Sequence, residues 1–280
     1  MTKDSSPLSY SDINWQELYH NARKQKGWKN KTAEEWDKKA ASFSAGNKNS
    51  EYSKKLINNL PLQKDFTLLD IGSGPGTLSI PVAKKVSMVT ALDYSAGMLK
   101  QLKQEAEMAK VDNIQTIQCS WEDDWQNLNI KPHDITLASR SLNIQDLRKG
   151  LCKLNNFATK YVFLTDRINP TPFDNKAFEA VGRPFLPGPD YIFTVNMLYS
   201  MNIHPNITVL EFDKIKKFAD YETAVQSYNW MFHDLSNDEE SRLRHYVDTL
   251  ITENNKIGVT IRQPHAARWA LIWWRKTKVL

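Results

Sequence analysis

Cysteine is nearly absent from this chain of 280 residues, and the two present, Cys119 and Cys152, sit in no metal-ligand spacing. That argues against a disulfide framework and a structural zinc site, and it fits a reducing, cytoplasmic setting. No metal is expected. Long apolar runs are missing too. The longest, Trp269 to Trp274, falls far short of the roughly 20 residues that span a bilayer, so no membrane partner is expected. The opening residues Met1-Thr2-Lys3-Asp4-Ser5-Ser6-Pro7 lack the apolar core of a secretory signal. No internal repeat or low-complexity tract appears. Charge is only mildly unbalanced at +5, which permits an acidic partner such as RNA without requiring one. The lysines scattered through 24–55 and 100–110 read as solvated helix faces. With 41% hydrophobic and 25% charged residues, the composition is that of an ordinary soluble globular protein, long enough for one α/β domain with additions.

A further absence is more telling. No Lys or Arg lies between Asp70 and Ile80, although this stretch holds the densest glycines, Gly72-Ser73-Gly74-Pro75-Gly76. A short apolar strand ending in Asp70 runs into that turn, and a helical pattern follows. About twenty residues on, Val89-Thr90-Ala91-Leu92 ends in a second acid, Asp93. Strand, glycine turn, helix and acid-tipped strand make half of a nucleotide-binding α/β unit. The spacing is G-x-G-x-G with a proline inside, not the G-x-G-x-x-G that seats a pyrophosphate at a helix N-terminus. An acid-flanked turn without basic side chains suits a ligand with a cationic amino-acid end and a ribose.

The stretches "LLDIGSGPGTLSIPVA" and "VTALDYSAGMLKQL" resemble the first two motifs of the class I S-adenosylmethionine-dependent methyltransferases. The resemblance continues less specifically from Trp36 to about Asp166. It implies a Rossmann-like α/β fold with a seven-stranded sheet, helices on both faces, and S-adenosyl-L-methionine as cofactor. Carried onto this sequence, it nominates Asp70, Gly72, Ser73, Gly74 and Gly76 around the methionine end. Asp93 is nominated for the ribose hydroxyls, with Tyr94 and Met98 flanking the adenine. Chemistry agrees, because a carboxylate accepts two hydroxyls at once, glycine lets a backbone approach closely, and adenine faces prefer flat or soft neighbours. An Asp at a strand end is also a common turn former, whereas Ser95 is able to cap the next helix and leave Asp93 free. The third motif departs from the family. Ser120 stands where many members carry Asp, so Ser120, Trp121 and Glu122 are expected to complete the adenine pocket, with Asp123 as a substitute and Trp121 alternatively a packing plug.

Around these motifs the chain alternates. Strands are expected at Thr67–Ile71, Met88–Asp93, Ile114–Cys119, Asp134–Ser139 and Tyr161–Thr165, with helices between, which implies a parallel sheet. Ligands bind beyond the carboxyl ends of such strands, where Ser139 joins the candidates. Residues 1–60 read as an N-terminal helical lid, with a capping box at Thr32–Glu35 and with Trp36, Ala40 and Phe43 at helical spacing. The string Trp36 to Phe43 also resembles a helix that helps cover the cofactor in many small-molecule methyltransferases. Residues 61–168 read as the cofactor-binding core. The segment 169–205 has six prolines and interleaved aromatics and reads as a semi-rigid cap over the acceptor. Residues 206–280 read as returning core, with strands at 207–212 and 268–275 and helices between. The resemblance implies that the last strand inserts antiparallel beside the fifth.

The methyl acceptor is expected to be a small molecule. Ser139-Arg140-Ser141 replaces the N-P-P-Y signature of amino-methylating enzymes of DNA and some proteins and RNAs, so no DNA partner is expected, while RNA stays open. An RNA or protein methyltransferase and a non-catalytic S-adenosylmethionine-binding module are the alternatives. Asp166, Arg167, Arg140, Tyr191 and His204 are polar candidates near the mouth, with no catalytic base singled out. His204, between Ile203 and Pro205, is equally a turn residue.

Overall fold

A computed structural model describes residues 9–28, 30–47 and 50–277. The polypeptide begins with three helices, α1 (Trp15–Gln25), α2 (Ala33–Asn47) and α3 (Glu51–Ile57). The core follows as β1 (Thr67–Ile71), α4 (Ser79–Ala83), β2 (Met88–Asp93), α5 (Ala96–Met108), β3 (Ile114–Gln118), β4 (His133–Ser139), α6 (Leu147–Phe157) and β5 (Ala158–Arg167). Next come α7 (Asn175–Val181), α8 (Tyr191–Ser200), β6 (Asn206–Glu211), β7 (Ile215–Phe218), α9 (Tyr221–Asn229) and α10 (Asn237–Leu250). The chain closes with β8 (Ile251–Asn255), β9 (Gly258–Arg262) and β10 (Arg268–Arg275). Helix starts carry local signals. Ser95, Asp146 and Ser236 each accept from an amide of the first turn, and Thr32 and Glu35 bond reciprocally, which satisfies donors that otherwise lack partners.

Seven strands form the main sheet in the order β3-β2-β1-β4-β5-β10-β6. The first five are parallel, and β10 enters antiparallel between β5 and β6. Strand order reverses between β1 and β4, the position where open α/β sheets bind ligands. Both faces are covered, so the strands are apolar at consecutive positions. On β1, Leu68 points into one core with α3, and its neighbour Leu69 points into the other with α6 and α8. Trp273 and Trp274 divide the same way on β10.

A third core lies apart from the sheet. Phe173, Ala177, Val181, Ala224, Tyr228, Leu243, Val247, Val259 and Ile261 pack together, and β7, β9 and β8 form a separate antiparallel sheet. The segment 169–205, read from sequence as one insertion, therefore divides by packing. Its α7 joins the third core, whereas α8 buries Met197 and Leu198 on the main core. Residues 213–265 do not return to the main sheet but complete the third core. The physical reason is that β7 to β9 each hold too few apolar residues to sit in a sheet covered on both faces.

The turn after β1 is fixed by a close approach. Gly72 has φ +72°, and a Cβ there would lie 2.4 Å from Ser141 Cβ, while Ser141 Oγ donates to the Ile71 carbonyl at 2.6 Å. Gly74 also has positive φ, +55°, but faces open space. Gly74→Ala should therefore cost about 1–2 kcal/mol for the left-handed backbone alone. Gly72→Ala should cost about 1–3 kcal/mol more, for the overlap. Urea unfolding of the two variants checks this, and equal losses would contradict the contact.

Candidate functional site

The carboxyl ends of β1, β2, β4 and β5 open into a cavity of about 590 Å³. Its floor brings together Asp70, Gly72, Ser73, Gly74, Asp93, Tyr94, Met98, Ser120, Trp121, Glu122 and Ser139. Eleven of the twelve residues nominated from sequence thus share one surface. The exception is Gly76, which does not line the cavity. It packs beneath the turn, where an added Cβ would meet Leu102 and Ile80 at 2.9 and 3.0 Å.

Ser95 caps α5, yet Asp93 is not left free. Oδ2 accepts the Gly74 amide at 2.8 Å and Oδ1 accepts the Ser95 amide at 2.9 Å, while Ser95 Oγ caps α5 through Met98 N. A carboxylate has about four acceptor sites, and with the Tyr94 amide also acting on it at least one remains open. Burial pushes the Asp93 pKa upward, opposed by those amide donors. Beside it, the Ser73 hydroxyl is buried without a hydrogen-bond partner among the described residues, an unusual state for a buried polar atom and one that a polar ligand in the cavity would relieve. After β3, Ser120 Oγ accepts from Glu122 N at 3.2 Å, and Asp123 accepts from Ser120 N at 2.7 Å. Asp123 thus shapes the turn and lies outside the cavity lining. The Trp121 indole donates to the Ser141 carbonyl at 2.9 Å and packs on Trp125, so its ring is both plug and wall. Ser139 is held by Tyr52, whose hydroxyl bridges Ser139 Oγ and Thr165 Oγ1 at 2.7 Å each.

The opposite wall comes from the N-terminal helices and the regions after β4 and β5. Trp36 and Phe43 line it edge to face, with ring centroids 5.6 Å apart. Arg140, Asp166 and Arg167 line it as expected from sequence, joined by Arg23, Lys26, Trp28, Phe173, Trp230 and Trp269. Tyr191, Phe185 and His204 are absent from the lining. Tyr191 packs on the main core and Phe185 on the third core, while His204 is exposed beside Tyr199. The positions of Tyr191 and His204 follow from α8 turning onto the main sheet, and that of Phe185 from its packing on Phe178 of α7. Sequence reasoning missed Asp37, which accepts from Ser95 Oγ and from Gly97 N at 2.8 Å and so ties α2 to the start of α5. It also missed Arg23 and Lys26, which carry no periodic or motif signal.

Two carboxyls, the buried Asp70 and the half-buried Asp166, are strongly perturbed. Burial raises Asp70 from 3.8 to about 7, with Ser79 Oγ donating to it at 2.6 Å, and raises Asp166 to about 6, with Thr194 Oγ1 donating at 2.7 Å.

Residues 62–181 match the family model of a methyltransferase domain. An uncharacterised protein of Haemophilus influenzae is 34% identical over 276 residues, 97% of this chain and 100% of that protein. A provisionally assigned methyltransferase from Bacillus halodurans superposes with a TM-score of 0.55 at 16% identity, covering 82% of this chain and 100% of that one. A precorrin-6y C5,15-methyltransferase from Geobacter metallireducens gives 0.50 at 13% identity, covering 80% and 88%. The chain therefore carries a methyltransferase domain over residues 62–181 and is an enzyme, an S-adenosylmethionine-dependent methyltransferase. Among the described residues, no helix is long and apolar enough to cross a membrane.

The raised carboxyls make a stability prediction. Asp70, with a folded pKa near 7, binds its proton more tightly folded than unfolded, so its contribution is complete below pH 4 and is lost as pH rises toward 7 and beyond. A tenfold tighter hold on a proton is worth about 1.4 kcal/mol. Asp70→Asn should therefore melt above wild type at pH 8 and close to it at pH 5. The same deficit at both pH values would contradict the burial argument.

Proposed function

We propose that the enzyme transfers a methyl group from S-adenosyl-L-methionine to a small-molecule acceptor held in the same cavity. The residues present fit that cofactor. The Ser73 hydroxyl, partnerless among the described residues, the spare acceptor capacity of Asp93 and the absence of basic side chains from the glycine turn all favour a ribose and an amino-acid end over phosphates. Asp93 would accept the ribose hydroxyls. Tyr94, Met98 and Trp121 would flank the adenine, with Ser120 and Glu122 offering polar atoms at its edge. Asp70 would face the ammonium, whose charge favours the ionised carboxylate. When bound, the cofactor supplies a methyl group on a positively charged sulfur with a neutral leaving group, so alignment is the main demand on the protein. Ser139, fixed by Tyr52, and the half-buried Asp166 line the cavity where alignment matters.

One observation carries the choice of a small acceptor. The cofactor surface and the aromatic, basic wall belong to a single cavity roofed by α1, α2 and the segment after β5, and about 590 Å³ lies within the range of small-ligand sites. Of the lysines scattered through 24–55 and 100–110, Lys26 and Lys31 line the cavity and those of 100–110 do not. Under this reading the described residues of 1–60 act as a lid over the core 61–168, and Pro172, Phe173 and Pro189 are the part of segment 169–205 that caps the acceptor.

Calorimetry with S-adenosylhomocysteine tests the assignment. Wild type should bind it, and Asp93→Asn, with one acceptor oxygen gone, should bind roughly tenfold to a hundredfold more weakly, as expected for charge-assisted hydrogen bonds. Because Asp93 also holds two loops, each variant's melting temperature is measured alongside. Undiminished affinity in a folded Asp93→Asn protein, or tighter binding of NAD than of S-adenosylhomocysteine, would contradict the proposal.

A further inference from the structure

The wall opposite the glycine turn holds three cations that, among the described residues, form no close ion pair, although Asp166 and Asp190 attract Arg167 at longer range. Arg23 and Lys26 come from α1 and the residue after it, and Arg167 comes from the end of β5. Among the described residues none of the three forms an ion pair with a carboxylate. Lys26 Nζ and Arg167 Cζ both lie over the Trp28 ring, 3.8 and 4.8 Å from its centroid. Their hydrogen bonds go to neutral groups. Arg23 donates to Asn143 Oδ1 at 2.8 Å, Lys26 to Asn30, and Arg167 Nε to the Pro189 carbonyl at 2.9 Å. The nearest acids already hold other donors. Asp166 accepts from Thr194 Oγ1 and from the Arg167 amide, and Asp190 caps α8 through Ile192 N. Burial, together with Arg23 and Arg167, pushes the Lys26 ammonium down to about 8, the mark of a cation short of counter-charge.

Like charges gathered in a half-buried wall raise the free energy of the empty protein, and an anion among them removes that repulsion. The surroundings give the rest of the ligand. Trp28, Phe173 and Trp230 stand in a row, with Trp28 5.9 Å from Phe173 and Trp230 stacked on Phe173 at 5.3 Å. All three line the cavity. We propose that Arg23, Lys26 and Arg167 form the acceptor's anion subsite, and that the acceptor is a small organic anion, a carboxylate or phosphate ester, carried on an apolar or aromatic body. This rests on the methyltransferase reading of the cavity and adds the chemical class of its substrate. The cations belong to two elements, so the bound anion also draws the α1 segment onto the end of β5. That segment is already latched to the far side by Gly27 N on the Leu186 carbonyl and Trp28 Nε1 on the Pro187 carbonyl.

The test titrates phenyl phosphate, phenylacetate and neutral benzyl alcohol into the full-length protein saturated with S-adenosylhomocysteine, at low ionic strength, by calorimetry. At least one anion should bind, benzyl alcohol should bind at least tenfold more weakly, and the preferred anion separates a phosphate from a carboxylate acceptor. Arg23→Gln and Lys26→Gln should each weaken the anion fivefold or more without lowering the melting temperature of the unliganded protein, because each removes repulsion. Lys84→Gln, on an exposed lysine outside the cavity, should change nothing. Equal binding of the neutral compound, or anion affinity untouched by both variants, would overturn the subsite. Competition between the anions and S-adenosylhomocysteine would also overturn it, by giving the cations to the cofactor's own carboxylate. Failure of S-adenosylhomocysteine to bind at all would instead strike the methyltransferase reading beneath.

Discussion

The site depends on one hydrogen-bonded chain centred on Asp93. Its carboxylate fastens the glycine turn after β1, through Gly74, to the turn after β2, through Ser95. Ser95 passes the connection to Asp37, and Asp37 also takes the amide of Gly97. Three segments distant in sequence are thereby locked together, namely the glycine turn, the junction of β2 with α5, and helix α2. Buried donors and acceptors that lose a partner are costly, so the arrangement resists piecemeal change. One side chain both builds the cradle and presents its remaining acceptor capacity to the cavity, so a structural and a binding role for Asp93 need not compete.

The cavity carries both signs of charge. Asp70, Asp93 and Glu122 come from the region at the ends of β1 to β3, and Arg23, Lys26 and Arg167 from α1 and the end of β5, with Lys31 and Arg140 also in the lining. Charges of both signs around one space shape the field that a charged ligand meets. Next to Arg167 is the half-buried Asp166, raised to about 6, in surroundings where a charge is felt more strongly than in water. The sheet explains why these groups meet. Trp269 pairs with Arg167 across β5 and β10, and its ring lies 5.9 Å from Arg140, which also stacks over Tyr52 at 4.1 Å.

The main sheet was legible because its strands are buried on both faces and so read as apolar runs between turn residues. Thr67–Ile71, Met88–Asp93 and the Trp-rich β10 carry that signal without ambiguity. The third core carries little of it. In β9 only Val259 and Ile261 point inward, and two alternating residues between Thr260 and Arg262 are too few to distinguish a strand from a loop. The prolines and aromatics of 169–205 correctly marked a change of architecture, yet composition does not say which ring turns inward. Phe173 faces the cavity, while Phe185 and Tyr191 serve packing. Asp37 and Lys26 acquire meaning only through long-range contacts, which no local pattern encodes. Motif order could locate the turn and the acid-tipped strands, but not the wall built opposite them.

A crystal structure of the protein with S-adenosylhomocysteine tests the central claim most directly. The account predicts the ribose hydroxyls on Asp93, the adenine against Tyr94, Met98 and Trp121, and the sulfur turned toward the space bounded by Ser139, Arg140 and Asp166. A ribose away from Asp93, or a sulfur directed out of the cavity and away from the aromatic and basic wall, would contradict it.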